Sequence, residues 1–309
     1  MKTYSKNGFT LVELLVVIAI IGMLSAALIV YVPGALDAGR AVKCKANLKN
    51  LGQAVSSYAI NSRSYDDDVH LPTAGSFEWT SVDMNNKERD ILFHSSGAWV
   101  CWTTSSQWPY SSTESWRDRM TPSTFFDQSR TDNNSKAFYS ITNGVLWSYL
   151  GKDANVYVCE THKKEFESQK PGFRVRRSYV MNRYFGFDDR YVPPGKKSPD
   201  YDRWVRVDDV ARSGTAAIRA LFVELPGQLG TTIDTSTASA DSVLDPNNNE
   251  YLGFNHKVGK KWIAHVVFAD GHVDGLVEPL GAAAEDLKDL TTQLCNGSEI
   301  DAKIRVKMQ

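Results

Sequence analysis

The sequence predicts an α+β chain in which one long N-terminal helix lies across an antiparallel sheet. An apolar run from Phe9 to Val32 contains a single formal charge, Glu13. Beyond it Cys44, Leu48, Leu51, Val55 and Tyr58 recur at steps of four and three, the spacing of one helix face. Toward the C-terminus Ile263, His265, Val267 and Ala269 alternate with Trp262, Ala264, Val266 and Phe268. Asp270-Gly271 then offers a two-residue turn, and the chain returns through His272 and Val273 as a hairpin.

At about 1.5 Å per residue, a helix over 9–32 spans roughly 36 Å, enough for a hydrocarbon core of about 30 Å. Lys2 and Lys6 precede the run, which keeps the short N-terminal segment cytoplasmic and exports the chain beyond Val32. The run is too long for the core of a cleaved signal peptide, and no clear small-residue cleavage pattern ends it. Ala19, Gly22, Ser25 and Ala26 nearly share one side, where small residues let helices approach closely in lipid. Pro33-Gly34 predicts a kink, because proline removes a backbone donor and crowds the preceding turn. An amphipathic continuation runs on to about Asn61, its apolar stripe set to pack on a sheet.

Gly8-Phe9-Thr10-Leu11-Val12-Glu13, followed by LLVVIAIIG, resembles the N-terminus of type IV prepilins and of the pseudopilins of type II secretion. The resemblance implies cleavage by a prepilin peptidase between Gly8 and Phe9, with methylation of the new N-terminal Phe9. It also gives Glu13 a use in assembly: a carboxylate in lipid needs a partner, and cleavage creates a cationic amine at Phe9, its own or a neighbour's. The implied organisation is a leader at 1–8, a transmembrane helix at 9–32, its amphipathic continuation at 33–62 and an exported head at 63–309. The fold so implied is pilin-like, with large irregular insertions. The implied location is a single pass of the inner membrane with the head periplasmic or extracellular. An ordinary membrane anchor with a stray glutamate is the plainer alternative.

Composition bounds the head. With 309 residues, 42% of them hydrophobic, and a mean hydropathy of −0.34, it is large enough to bury its own core. Net charge is −1, and loss of Lys2 and Lys6 with the leader leaves 33 basic residues (35 less two) against 36 acidic, so nothing points to nucleic acid. Four cysteines in an exported chain permit disulfides. Cys44 and Cys159 match cysteines that recur in the resembling family, which implies a bond between them. Such a bond would close a loop of about 115 residues and contribute roughly 4–5 kcal/mol in the chain-entropy picture.

Along the head, 61–72 reads as a polar exit loop whose aspartates lack the spacing of a calcium loop. The stretch 77–126 holds Trp79, Trp99, Trp102, Trp108 and Trp116 among many Ser and Thr residues, a pattern of irregular β structure with packed aromatics; a carbohydrate-binding or partner-binding face is the alternative. GVLWSYLGKDANVYVCETH, from Gly144, resembles a helix leading to a strand that ends in Cys159. RRSYVMNRYFG and RALFVELPG read as strand elements, the second ending in Glu224, while 193–209 and 231–249 read as exposed loops. Asn255-His256 with Asp270-Gly271 resembles the His-then-Asp-Gly signature of large pilin-like proteins, here with a longer interval. AAAEDLKDLTTQLC predicts an amphipathic helix, and SEIDAKIRVKM a closing edge strand.

Glu224, His256, His265, Asp270, His272 and Asp274 are metal-ligand types, and some pseudopilins bind calcium through acidic residues near the C-terminus. No His-x-x-x-His or Cys-x-x-Cys spacing fixes a geometry, so the expectation is no cofactor, with Glu224, His256, Asp270 and His272 as the weak candidates for calcium or another metal. No nucleophile elbow, phosphate loop or zinc-protease motif occurs, and no enzyme is expected. The expected function is that of a structural subunit of a type IV pilus-like filament or a type II secretion pseudopilus. Its partners would be copies of itself or other pilin-like subunits, the prepilin peptidase and the inner membrane. The alternative is a membrane-tethered binding domain that uses the leader for export only.

Overall fold

The computed structural model describes residues 10–61, 71–76, 98–100, 103–104, 120–121, 126–128, 136–188, 205–226, 242–244, 246, 250–281 and 283–304. It is α+β: a helix of 51 residues, α1 (Leu11–Asn61), followed by a mixed sheet of six strands. Thr10 and Glu13 fix the start of α1. The backbone N–H and the hydroxyl of Thr10 each donate to Glu13 Oε2 at 2.8 Å, and the Glu13 N–H donates to Thr10 Oγ1 at 3.3 Å. This reciprocal Thr-x-x-Glu box satisfies donors that the first helical turn leaves open. The expected kink at Pro33-Gly34 does not interrupt the helix.

The two halves of α1 meet different surroundings. Leu11, Met23 and Ile29 are 75–80% exposed, and the apolar side chains around them are also uncovered. From Ala41 onward one face is covered: Cys44, Leu48, Leu51 and Val55 are buried on the predicted stripe, with Tyr58 half-buried. Burying side chains such as Leu48, Leu51 and Val55 contributes roughly 1.5–3 kcal/mol each. That exceeds the spread of helix propensities, so packing on the head holds this half. Among the described residues no helix is long and apolar enough to cross a membrane. Within the expected 9–32 span, Phe9 and the side chains of Ala27 and of 30–32 lie outside the described residues.

After α1 come β1 (Gly75–Ser76), β2 (Thr103–Thr104), β3 (Met120–Thr121), β4 (Phe126–Gln128), α2 (Lys136–Thr142), α3 (Glu160–Gln169), β5 (Phe173–Val175), β6 (Tyr179–Asn182) and β7 (Phe187–Asp188). The chain continues through α4 (Val207–Arg212), β8 (Ala220–Glu224), β9 (Val243–Leu244), β10 (His256–Val258), β11 (Lys261–Phe268), β12 (Val273–Val277) and α5 (Ala284–Asn296). In the main sheet β11 is central. β12 takes one of its edges, from Ile263↔Val277 to Val267↔Val273. β8 and β10 share the other edge end to end, through Val266↔Val223 and Ile263↔His256. β6 then pairs with β8, and β9 with β6.

Strand periodicity divides this sheet between two helices. On one face Tyr179, Met181, Phe222 and Val267 join Leu48, Leu51 and Val55 of α1. On the other Val180, Val223, Ala264 and Val266 join Leu290 and Leu294 of α5, which forms as expected. Gly52 lets α1 approach closely, since a Cβ there would lie 2.9 Å from Val267 Cγ2.

Several expectations are corrected. The sheet is not wholly antiparallel: β9 runs parallel to β6, through Met181↔Val243 and Asn182↔Leu244. Parallel neighbours need a long crossover, and the chain between Asn182 and Val243 supplies one. The 231–249 loop therefore contains a buried strand at 243–244, and the 193–209 loop ends inside a helix, Val207–Arg212. The strand expected before Cys159 is a 3-10 turn, Ala154–Tyr157, which Asp153 caps by accepting from the Asn155 N–H at 2.9 Å. The expected C-terminal edge strand is instead a helical turn at 302–304, with 305–309 outside the described residues. Trp99 is fully buried, edge-on to Phe222 at 4.8 Å, while Trp79, Trp102, Trp108 and Trp116 lie outside the described residues, as does Cys101.

The Asp270-Gly271 hairpin is present, but its loop has three residues rather than two. The Phe268 N–H donates to His272 O at 2.9 Å, and the Gly271 N–H to Phe268 O at 2.8 Å. Gly271 has φ +87°, a conformation that strains residues with a Cβ. Gly271→Val is expected to cost about 1–3 kcal/mol. A thermal melt of the detergent-solubilised full chain checks this, and an unchanged melting temperature would refute the role given to the turn.

Candidate functional site

Where α1 crosses the sheet, the end-to-end meeting of β8 and β10 along β11 leaves a short gap in the ladder. Glu224, the last residue of β8, fills it, fully buried. His256 opens β10 and His265 lies in the middle of β11, so register places both imidazoles beside the carboxylate. Cys44 arrives from the apolar stripe of α1. Three groups converge on Glu224 Oε1: Cys44 Sγ at 2.8 Å, His265 Nδ1 at 3.0 Å and His256 Nε2 at 3.2 Å. With a carboxylate as acceptor, both ring nitrogens are assigned as N–H donors. Asn255 Nδ2 donates to the second oxygen at 3.3 Å and to Leu225 O at 2.7 Å.

The surroundings of this cluster also belong to the fold. Cys44 Sγ lies 3.0 Å from Tyr179 Oη, and His256 Nδ1 lies 3.4 Å from Thr161 Oγ1. Cys159, buried at the start of α3, places its sulfur 3.5 Å from His256 Nε2 and carries no disulfide. The expected Cys44–Cys159 disulfide is thus corrected: the two cysteines meet, as free thiols. Outward from His256 a cleft of about 250 Å³ opens between Asp37, Arg40, Thr161, Glu165 and Trp262.

Burial raises a carboxyl pKa, but at Glu224 the hydrogen bonds and charges of His256 and His265 outweigh it and hold the group below its ordinary value. Burial would likewise lower His256, yet Cys159 and Glu224 push it up and favour its charged form. For Cys44, burial and the acidic neighbours act together and keep the thiol protonated. An ionised carboxylate with these partners can lock α1 to three strands at once, and the same donor set is suited to a metal.

The sequence candidates are split. Glu224 and His256 join the cluster, whereas Asp270 and His272 pair with each other at the hairpin, 2.6 Å apart, outside it. Sequence spacing assigns no ligand role to Cys44 or Cys159. The available signal was a polar group on an otherwise apolar face, Cys44 in the stripe of α1 and His265 in step with Val267 on β11. Gly8 and Phe9 lie outside the described residues, and Glu13 caps the exposed start of α1.

Residues 4–29 match the model of the prokaryotic N-terminal methylation motif, which supports a type IV pilin-like precursor, processed at its N-terminus and anchored in a membrane. No curated protein matches the chain. No solved structure matches it.

Proposed function

We propose that this chain is a structural subunit of a type IV pilus-like filament or a type II secretion pseudopilus. The observation that carries the reading is the methylation motif running into a helix that its own head leaves uncovered. Leu11, Val12, Leu14 and Leu15 are 57–80% exposed, while the same helix beyond Ala41 is bound into the head. Such a surface needs lipid before assembly and neighbouring helices after it. The leader stays cytoplasmic, the helix crosses the inner membrane once, and the head lies outside. Partners are the prepilin peptidase and other pilin-like subunits, among them copies of this chain. Its role is mechanical rather than enzymatic.

Mass analysis of the membrane-extracted protein is expected to show a chain beginning at methylated Phe9. An intact Met1 in cells with an active prepilin peptidase would end the processing claim. Electron microscopy of sheared filaments tests the assembly. A processed chain that stays monomeric in the membrane would favour the tethered binding domain instead.

A further inference from the structure

We propose that Cys44, Glu224, His256 and His265 form a structural site for a divalent ion of the zinc class, clamping the long helix to the sheet. Their ligand atoms all lie within 4.8 Å of one another, and all four residues are buried. One thiol, two imidazoles and one carboxylate constitute a mixed sulfur, nitrogen and oxygen set of the kind that selects zinc over calcium or magnesium, which require mostly oxygen ligands.

The geometry needs little change to accept an ion. Four-coordinate bonds of about 2.0–2.3 Å place ligand atoms roughly 3.3–3.8 Å apart. The separations from Glu224 Oε1 are 2.8 Å to Cys44, 3.0 Å to His265 and 3.2 Å to His256. The donors must therefore open by a few tenths of an ångström around the carboxylate, while the ligand atoms up to 4.8 Å apart close by about 1 Å. Thr161 Oγ1, 3.4 Å from His256 Nδ1, occupies the outer position where metal-bound imidazoles usually find a partner. The cleft lined by Thr161 and His256 supplies an entry path.

Binding exchanges protons for the ion. The Cys44 thiol loses its proton, His256 gives up the proton it holds against Glu224, and His265 shifts its proton from Nδ1 to Nε2, which frees Nδ1 for the ion. A divalent ion then faces one thiolate, one carboxylate and two neutral imidazoles, so the buried charge stays balanced. The four ligands come from α1, β8, β10 and β11, which gives the ion the clamping position that a Cys44–Cys159 bond would otherwise hold. Cys159 is the spare thiol beside it.

The test is titration of the reduced, chelator-treated full-length chain in detergent with Zn²⁺, and then with Co²⁺ as a spectroscopic probe. One equivalent of Zn²⁺ is expected to bind, with release of protons and a rise in melting temperature. Cobalt is expected to show a thiolate charge-transfer band and the strong visible bands of a four-coordinate ion. Cys44→Ser should abolish the charge-transfer band, and His265→Gln should weaken binding by about 10–100-fold or more. A folded, reduced wild-type chain that binds no stoichiometric Zn²⁺ overturns the proposal without recourse to any variant. So does a cobalt spectrum with no thiolate band, or one that Cys44→Ser leaves unchanged. Peptide mapping that finds Cys44 and Cys159 joined in the protein as isolated would also overturn it, because no thiolate would then be left for the ion.

Discussion

Glu13→Gln is expected to leave membrane insertion and the start of α1 intact while removing the subunit from filaments. The Thr10 backbone N–H and hydroxyl both donate to Glu13 Oε2 at 2.8 Å, and a glutamine oxygen can accept the same bonds. What glutamine cannot supply is the negative charge for an N-terminal amine at Phe9. A charge pair in lipid of even 1.4 kcal/mol corresponds to about tenfold in the assembly equilibrium, and an unpaired charge there costs more than that. Glu13→Leu should insert as well or better, lose the cap as well as the charge, and fail to assemble. Comparing sheared filaments with membrane fractions by immunoblot separates the two contributions. If Glu13→Gln enters filaments as wild type does, Glu13 serves the helix start and not recruitment.

The long helix was legible because its evidence is local. A stripe at Cys44, Leu48, Leu51 and Val55 predicts which face is buried without knowing what covers it, and those residues are buried as predicted. The β11–β12 hairpin was legible for the same reason, since strand alternation and a Gly at positive φ are short-range signals. The place of β9 was not legible. Val243 and Leu244 sit in a polar stretch, and their burial depends on parallel pairing with β6, some sixty residues earlier, which no local pattern encodes. Val156 to Val158 misled in the opposite direction: the resemblance implied a strand there, but the Asp153 cap made a turn.

The buried cluster was half legible for a related reason. Spacing rules for metal sites detect ligands on one helix or one hairpin, and here only His256 and His265 share a hairpin, while Cys44 and Glu224 come from α1 and β8. Cys44 and Cys159 were paired through a resemblance, and the structure does bring them together, but with Glu224 and His256 at the same point. A pair of thiols beside a buried acid and an imidazole has more than one chemical use, which a pairing rule alone does not reveal.

In the metal-free chain Glu224→Ala is expected to destabilise the head by about 3–5 kcal/mol, the scale for breaking a buried ionic contact from one side. Cys44, His256 and His265 would lose their shared acceptor in a site closed to solvent, and α1 would lose its polar tie to β8. Glu224→Gln keeps an acceptor oxygen but not the charge, so its cost should be smaller, about 1–3 kcal/mol. The pH dependence gives a second readout. Glu224 is held at about 2 in the folded chain, below its ordinary value, so its contribution is present above about pH 4.5 and is lost as pH falls through about 2. His256 is raised, so its contribution is present below its unfolded value of about 6.5 and is lost as pH rises through the higher folded one. The gap between wild type and Glu224→Ala should therefore be widest from about pH 4.5 to 6.5 and shrink on either side. Chemical denaturation of the chelator-treated full chain in detergent, followed by tryptophan fluorescence, reads both quantities. A gap that stays constant from about pH 3 to about pH 9 would mean that the carboxylate contributes through packing alone.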